Sequence, residues 1–269
     1  MNVILFSGNH NRHFYSHQAL INKFNIVGVV LMERESQNPI ANESWNSEDK
    51  QLFEEHFDKR ATVENKYFGH LDKSIYSNLN TLIIKRNELN GECVLNFLKP
   101  LKADVAVIFG VDIIKDPVFS LLPKWKINIH LGLSPWYKGA ATLFWPFYNL
   151  EPQYSGATLH LIAPKADAGE ILHHSVPELS EEDSMHEHSA RVVIKATRDL
   201  VDIVSKIELN IPLKSYKQKN SGKLFLEKEF RPEHLKVIYK LFNDDISRWD
   251  TSKVIIMESM FRSAYAFNG

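Results

Sequence analysis

"ADVAVIFG", residues 103–110, runs from Val105 to Phe109 without a polar interruption and ends on glycine. A strand open to water on one face alternates apolar and polar residues. A continuous apolar run of this length fits a central strand of a parallel sheet, covered by helices on both faces. Its neighbours repeat one unit. "TLIIK" (81–85) and a helical stretch near 88–98 lead into it. Earlier, "NVILFSG" (2–8) is a buried strand by its pattern, and Phe14, His17, Leu20, Ile21 and Phe24 recur at helical spacing. "IVGVVLM" (26–32) then gives a second strand. "KINIH" (126–130) follows downstream. Strands alternating with helices predict an α/β protein, a Rossmann-like, doubly wound and mostly parallel sheet.

Beyond that sheet, "ATLFWPFYNL" (141–150) reads as a helix carrying a proline that kinks it or delays its start. "SGATLHLI" (155–162) and "GEILHHSVPE" (169–178) are paired strand candidates around the loop "APKADA", the first with an alternation suited to partial exposure. A long helix follows. Ser180 with Asp183 makes a capping-box pattern, and Met185, Val193, Ala196, Leu200, Ile203 and Ile207 form one apolar stripe. The texture changes near Ile211. The chain therefore divides into an expected catalytic domain, 1–208, and a small strand-and-helix appendage, 209–269, read as a hairpin plus helix. Residues 43–80 read as helix plus loop, with no purpose deducible from their pattern.

The bulk numbers narrow the function. The 269 residues carry a net charge of −1, so no global field points to nucleic acid or an anionic membrane. Nothing approaches the about 20 apolar residues of a membrane span, and the opening apolar run is too short for a signal h-region. The single cysteine, Cys93, falls in a helix-like segment and excludes an intrachain disulfide, which fits a cytoplasmic setting. His173 with His174, and His186 with His188, are poorly spaced for a metal site, and as solvent-facing side chains they predict none.

Residues two apart on a strand share a face, so Asn128 and His130 aim at one spot at the end of "KINIH". An amide donor beside an imidazole suits a carbonyl becoming tetrahedral: one group holds the developing oxyanion, and the other moves a proton. From the pair alone, a satisfied core histidine at a strand end is the more ordinary reading. Asp167 adds weight. It sits in a Pro- and Gly-containing loop between two strands, from which a carboxylate can turn back to orient His130 or receive a proton from an attacking amine.

Asn128-x-His130, the loop ending at Gly139, Gly156-x-Thr158 and Asp167-x-Gly169 together resemble the formyltransferases that use N10-formyltetrahydrofolate. The resemblance spans roughly residues 1–207. The loop after His130 departs from the family pattern at Leu131 and Gly132. By this resemblance, Asn128 holds the formyl oxygen, His130 stabilises the tetrahedral intermediate or moves its proton, and Asp167 positions His130 and assists amine deprotonation. The folate is expected against main chain at Gly110, Val111, Asp112 and Ile114, closed by the 163–167 loop that contains Asp167. The carboxyl end of a central parallel strand is where such sheets bind ligands.

For the second substrate, the loop "SGNHNRH" after the first strand offers backbone N–H groups at a helix start. Asn9, Arg12 and His13 are its candidate contacts, with Trp125, Trp136, Trp145 and Trp249 as candidates for stacking on a base or sugar. Methionyl-tRNA formyltransferase carries a larger C-terminal barrel and a basic surface. Here Lys214, Lys217, Lys219 and Lys223 give only a modest bias, so nucleic acid is not expected. Glycinamide ribonucleotide transformylase leaves the tail surplus. A core plus a short tail is similar to the nucleotide-sugar N-formyltransferases, implying formylation of a dTDP- or UDP-linked amino-dideoxy sugar for bacterial surface glycan (lipopolysaccharide O-antigen) synthesis by a homodimer. Two alternatives carry less. A dinucleotide oxidoreductase would need a glycine fingerprint in the first turn, which is missing. A formyl-folate hydrolase shares the Asn, His and Asp, but is expected to carry a regulatory domain for which 269 residues leave no space.

Overall fold

The computed structural model describes residues 1–36, 38–71, 73–180, 183–218 and 222–241. Nine strands are described: β1 (Asn2–Gly8), β2 (Asn25–Met32), β3 (Thr81–Ile84), β4 (Val105–Phe109), β5 (Trp125–His130), β6 (Tyr137–Gly139), β7 (Ala157–Leu161), β8 (Ile171–Ser175) and β9 (Lys223–Phe225). The helices are α1 (Asn11–Ile21), α2 (Ser47–Phe68), α3 (Glu92–Leu98), α4 (Val118–Leu121), α5 (Trp145–Tyr148), α6 (Met185–Glu208) and α7 (Pro232–Lys236). Seven strands form one sheet in the order β3-β2-β1-β4-β5-β7-β8. The first five are parallel, and β7 and β8 join antiparallel. The α/β, doubly wound architecture expected from the sequence is the one observed.

Alternation along β1 divides the core. Val3 and Leu5 face one side and pack with Leu20 of α1 and Val192, Ala196 and Leu200 of α6. Ile4 and Phe6 face the other and pack with Val94 and Leu98 of α3 and with Val118 of α4. Both faces of β4 are buried for the same reason, and this is why its sequence shows no polar break. The chain runs outward from β1 to β3, then returns to place β4 on the opposite side of β1. That reversal opens a crevice beyond the carboxyl ends of β1 and β4.

Several local expectations give way to tertiary context. The helix read over 141–150 forms only at Trp145–Tyr148, with Pro146 in its first turn. The one near residue 88 begins at Glu92, after a 3-10 turn over Arg86–Glu88. α6 is capped not by Ser180 with Asp183 but by Ser184, whose hydroxyl accepts from Glu187 N while the Glu187 carboxylate accepts from Ser184 N. Ser184→Ala is expected to lower stability by about 1 kcal/mol, readable as a urea-midpoint shift. β7 is buried from Ala157 to His160, because β5 and β8 flank it and α6 covers it, so its alternation does not signal exposure.

The segment after α6 is not a hairpin among the described residues. Tyr216 forms an isolated antiparallel bridge with Ile171, and β9 pairs in parallel with β6. Phe225 stacks on Trp145 at 4.8 Å and on Tyr137 at 5.6 Å, which seats this segment on the main body. Lys219 and Trp249 lie outside the described residues. No described helix is long and apolar enough to cross a membrane.

Candidate functional site

β5 ends at the crevice, and its period of two brings Asn128 and His130 to the same side. Asp167 arrives from the β7–β8 loop. Its Oδ1 lies 3.4 Å from His130 Nδ1 and 3.5 Å from His160 Nε2, and its Oδ2 accepts from Gly139 N at 2.9 Å. Asn128 Nδ2 lies 3.1 Å from His160 Nε2, and His160 Nδ1 lies 2.8 Å from the Leu161 carbonyl. A carbonyl only accepts, so the proton of a neutral His160 sits on Nδ1 and Nε2 accepts from Asn128. The three residues expected from the sequence therefore meet, with His160 as a fourth.

The glycines of the motif act through space rather than chemistry. A Cβ at Gly169 would collide with the Leu161 carbonyl, and one at Gly132 would stand 2.6 Å from His130 Nε2 and 2.7 Å from Tyr137 O. Gly132 thus suits the departure noted after His130. Gly139 has φ +92°, and its N–H is turned to Asp167. Thr158 pins the loop after His130: its hydroxyl donates to Gly132 O at 2.6 Å and accepts from Ser134 N at 2.8 Å. Gly169→Ala is expected to misfold this loop or lower the melting temperature by several degrees, since the obstruction is backbone. A native melting curve would contradict it.

The protonation states follow from the partners. His130 Nε2 lies 2.8 Å from Tyr137 O and so carries the proton. Burial lowers the pKa of His130, and Asp167 only partly offsets this, so the ring is neutral at pH 7. Burial opposes charge on Asp167 as well. The His130 ring, once protonated, and the Gly139 N–H outweigh it and hold the carboxyl well below the usual range. The neutral ring therefore points an Nδ1 lone pair at a carboxylate oxygen, acceptor against acceptor. The pair has a place for one incoming proton.

The crevice has a volume of about 1020 Å³, at the upper end for a single ligand and roomy enough for two. Gly110, Val111, Asp112 and Ile114 line it, as do Arg12 and His13. Gly110 has φ +74°, and a Cβ there would run into His13, so the absence of a side chain lets the His13 ring close against the backbone at this point. The Asp112 carboxylate is occupied by Arg34 at 3.3 Å and Arg86 at 2.5 Å, which leaves backbone as its means of contact. Asn9 does not line the crevice: its side chain accepts from Arg34 N at 3.0 Å and braces the start of the loop after β2. Trp125, Trp136 and Trp145 are not lining residues either, each being held in packing elsewhere. Trp45 takes that place.

The opposite wall is α2, for which the sequence offered no role. Phe53, His56, Phe57, Arg60 and Glu64 recur at three- and four-residue spacing, so one helical face looks into the crevice. Arg12 pairs with Glu64 at 2.5 Å, and the Arg60 guanidinium lies 4.5 Å from the Phe57 ring centre. Burial, then Arg12, draws Arg60 down to about 10, and it remains charged at pH 7. The histidines dismissed as solvent-facing include two that are buried. His186 faces Tyr239 and His188 faces the Ser155 carbonyl. Among the described residues no three His, Cys, Asp or Glu side chains are grouped to hold a metal ion.

An amide, an imidazole and a carboxylate meet at the switch point of a Rossmann-like sheet, an arrangement suited to acyl transfer. The chain belongs to the formyl transferase family, whose model matches residues 3–204. It is a formyltransferase. A second model, described as a Mycoplasma protein of unknown function, matches residues 234–269. Among solved structures, a 4-N formyltransferase from Francisella tularensis superposes with a TM-score of 0.56 at 16% identity, over 85% of this chain and 77% of that one. An N-formyltransferase from Helicobacter canadensis, in complex with folinic acid and dTDP-3-aminofucose, gives 0.56 at 19% identity, over 86% and 73%. Phosphoribosylglycinamide formyltransferase from Anaplasma phagocytophilum gives 0.56 at 18%, over 84% and 98%. At these identities the likeness is one of fold.

Proposed function

We propose that this enzyme transfers a formyl group from N10-formyltetrahydrofolate to the amine of a nucleotide-linked amino sugar. The observation that carries the reading is the meeting of Asn128, His130 and Asp167 in a crevice lined by two unlike groups of residues. One group, at the end of β4, offers main chain at Gly110 and Val111 and apolar side chains at Ile108, Ile114 and Ile162, a fit for a flat pterin. The other offers Arg12 and Arg60 for phosphates and Trp45, Phe53 and Phe57 for a base or sugar. The glycinamide ribonucleotide enzymes share the fold. The aromatic wall and the added segment carrying Phe230 suit a larger, two-phosphate acceptor better.

An amine is protonated at neutral pH in water and must lose protons to act as a nucleophile and form an amide. In this reading the ammonium first releases one proton to solvent, the free amine nitrogen attacks the formyl carbon, Asn128 Nδ2 donates to the oxygen as it gains charge, and the nitrogen's second proton passes to the site between His130 Nδ1 and Asp167 Oδ1. The bond to the folate nitrogen then breaks, and that nitrogen takes a proton in turn. His130 is the group placed to return it.

The test is formylation by purified enzyme with N10-formyltetrahydrofolate across dTDP- and UDP-amino sugars, glycinamide ribonucleotide and methionyl-tRNA. Turnover is expected with an amino-sugar nucleotide. Turnover confined to glycinamide ribonucleotide or methionyl-tRNA would overturn the acceptor, and none with any member would overturn formyl transfer to these amines.

A further inference from the structure

Asp167 holds a left-handed backbone conformation, φ +46°, which aspartate tolerates better than most residues but which is less favourable than its ordinary one. With the backbone in this conformation its carboxylate lies 3.4 Å from His130 Nδ1. Three hydrogen bonds to its loop come from a segment beyond the family match, which ends at residue 204. Gln218 Nε2 donates to Asp167 O and to Gly169 O, each at 2.7 Å. Ser215 Oγ donates to Glu170 Oε2 at 2.5 Å. Tyr216 exchanges both backbone bonds with Ile171, at 2.8 and 2.9 Å, which fixes the strap in register where the loop re-enters β8.

The amide of Gln218 has two hydrogens, one for each carbonyl, and together they clamp the two sides of the Asp167-x-Gly169 turn. Without them both carbonyls lose their donor. The aspartate can then relax towards an ordinary φ, which swings its carboxylate away from His130 Nδ1.

We infer that Gln218 is a positioning residue of the active site: it sets the Asp167–His130 distance from outside the catalytic domain of the family. The inference rests on the formyl-transfer reading for its kinetic consequence, but its structural consequence stands apart from that reading. Gln218→Met keeps the length and removes the donor. It is expected to lower kcat tenfold or more, because misplacing a catalytic group by a fraction of an ångström to one ångström is costly. KM for N10-formyltetrahydrofolate and for the amino-sugar nucleotide stays within twofold. Gln218→Lys restores a donor to both carbonyls and returns kcat to within threefold of native.

A second readout needs no turnover. With ¹⁵N-labelled histidine in the ligand-free protein at pH 7.5, the His130 ring nitrogens report the facing carboxylate. Their resonances are expected to move in Gln218→Met and to return in Gln218→Lys. Unchanged His130 resonances in Gln218→Met, or a kcat within twofold of native, would overturn the inference even if the melting temperature fell. Should Gln218→Met fail to fold, Gln218→Ala takes its place, with shifted His130 resonances supporting the clamp and native ones overturning it. An inactive native enzyme would instead remove the formyl-transfer reading and leave the resonance test in force.

Discussion

Asp167→Asn is expected to cut formylation a hundred- to ten-thousandfold while leaving the fold in place. The exchange keeps size and shape, and the asparagine oxygen can still accept from Gly139 N. Its NH₂ then occupies the Oδ1 position and donates to the His130 Nδ1 lone pair, 3.4 Å away in the native arrangement. The space for one more proton is filled permanently, and the amine has nowhere to deliver its own. His130→Ala removes the acceptor outright and should lose at least as much. The check is the initial rate at neutral pH with saturating substrates, beside a thermal melt of each variant. Near-native rates in both would remove the proton-accepting role of the pair.

Stability should collapse as pH falls from about 6.5 towards 5. Burial holds His17 and His186 near 3 and His174 and His188 near 4, so all four stay neutral in the folded protein at pH 5. The same rings in the unfolded chain titrate near 6.5 and take up protons first. The sign follows: folded pKa values are depressed, so their cost is absent above pH 6.5 and grows as pH drops below it. At pH 5 it reaches about 2 kcal/mol for each ring, or about 8 kcal/mol for four, against a usual total stability of about 5–15 kcal/mol. Urea midpoints at pH 7.5, 6.5, 5.5 and 5.0 check this. A midpoint flat across that range would show that these rings are not buried neutral.

What could be read in advance was whatever repeats at short range. The unbroken apolar run of β4 and the alternation of β1 report burial directly, because a side chain's direction on a strand is set by its own backbone. Asn128 and His130 were legible as a pair for the same reason. Asp167 was legible only as a loop acid whose partner lay elsewhere. His160 was missed, although its place opposite Asn128 in the β5–β7 ladder makes it a neighbour once that pairing is known. The α2 wall was missed because its stripe mixes aromatic, basic and acidic residues, so no apolar periodicity separates it from a solvated face. Asn9 and the tryptophans were misplaced for a related reason. Residue type suggested contact with a ligand, while their packing partners are distant in sequence.

Local sequence alone determined the strands, the parallel sheet and the two polar side chains at the end of β5, since these depend on periods of two and 3.6 along a continuous backbone. Tertiary structure decided the rest of the site: the Asp167–His130 distance, the edge of His130 that faces Asp167, the arginine-and-aromatic wall and the hydrogen bonds from Gln218 to the 167–169 turn. Each of these is a distance between groups far apart in the chain. Such distances are fixed by the sheet order and by the paths of the connecting loops, quantities that no short window of sequence contains.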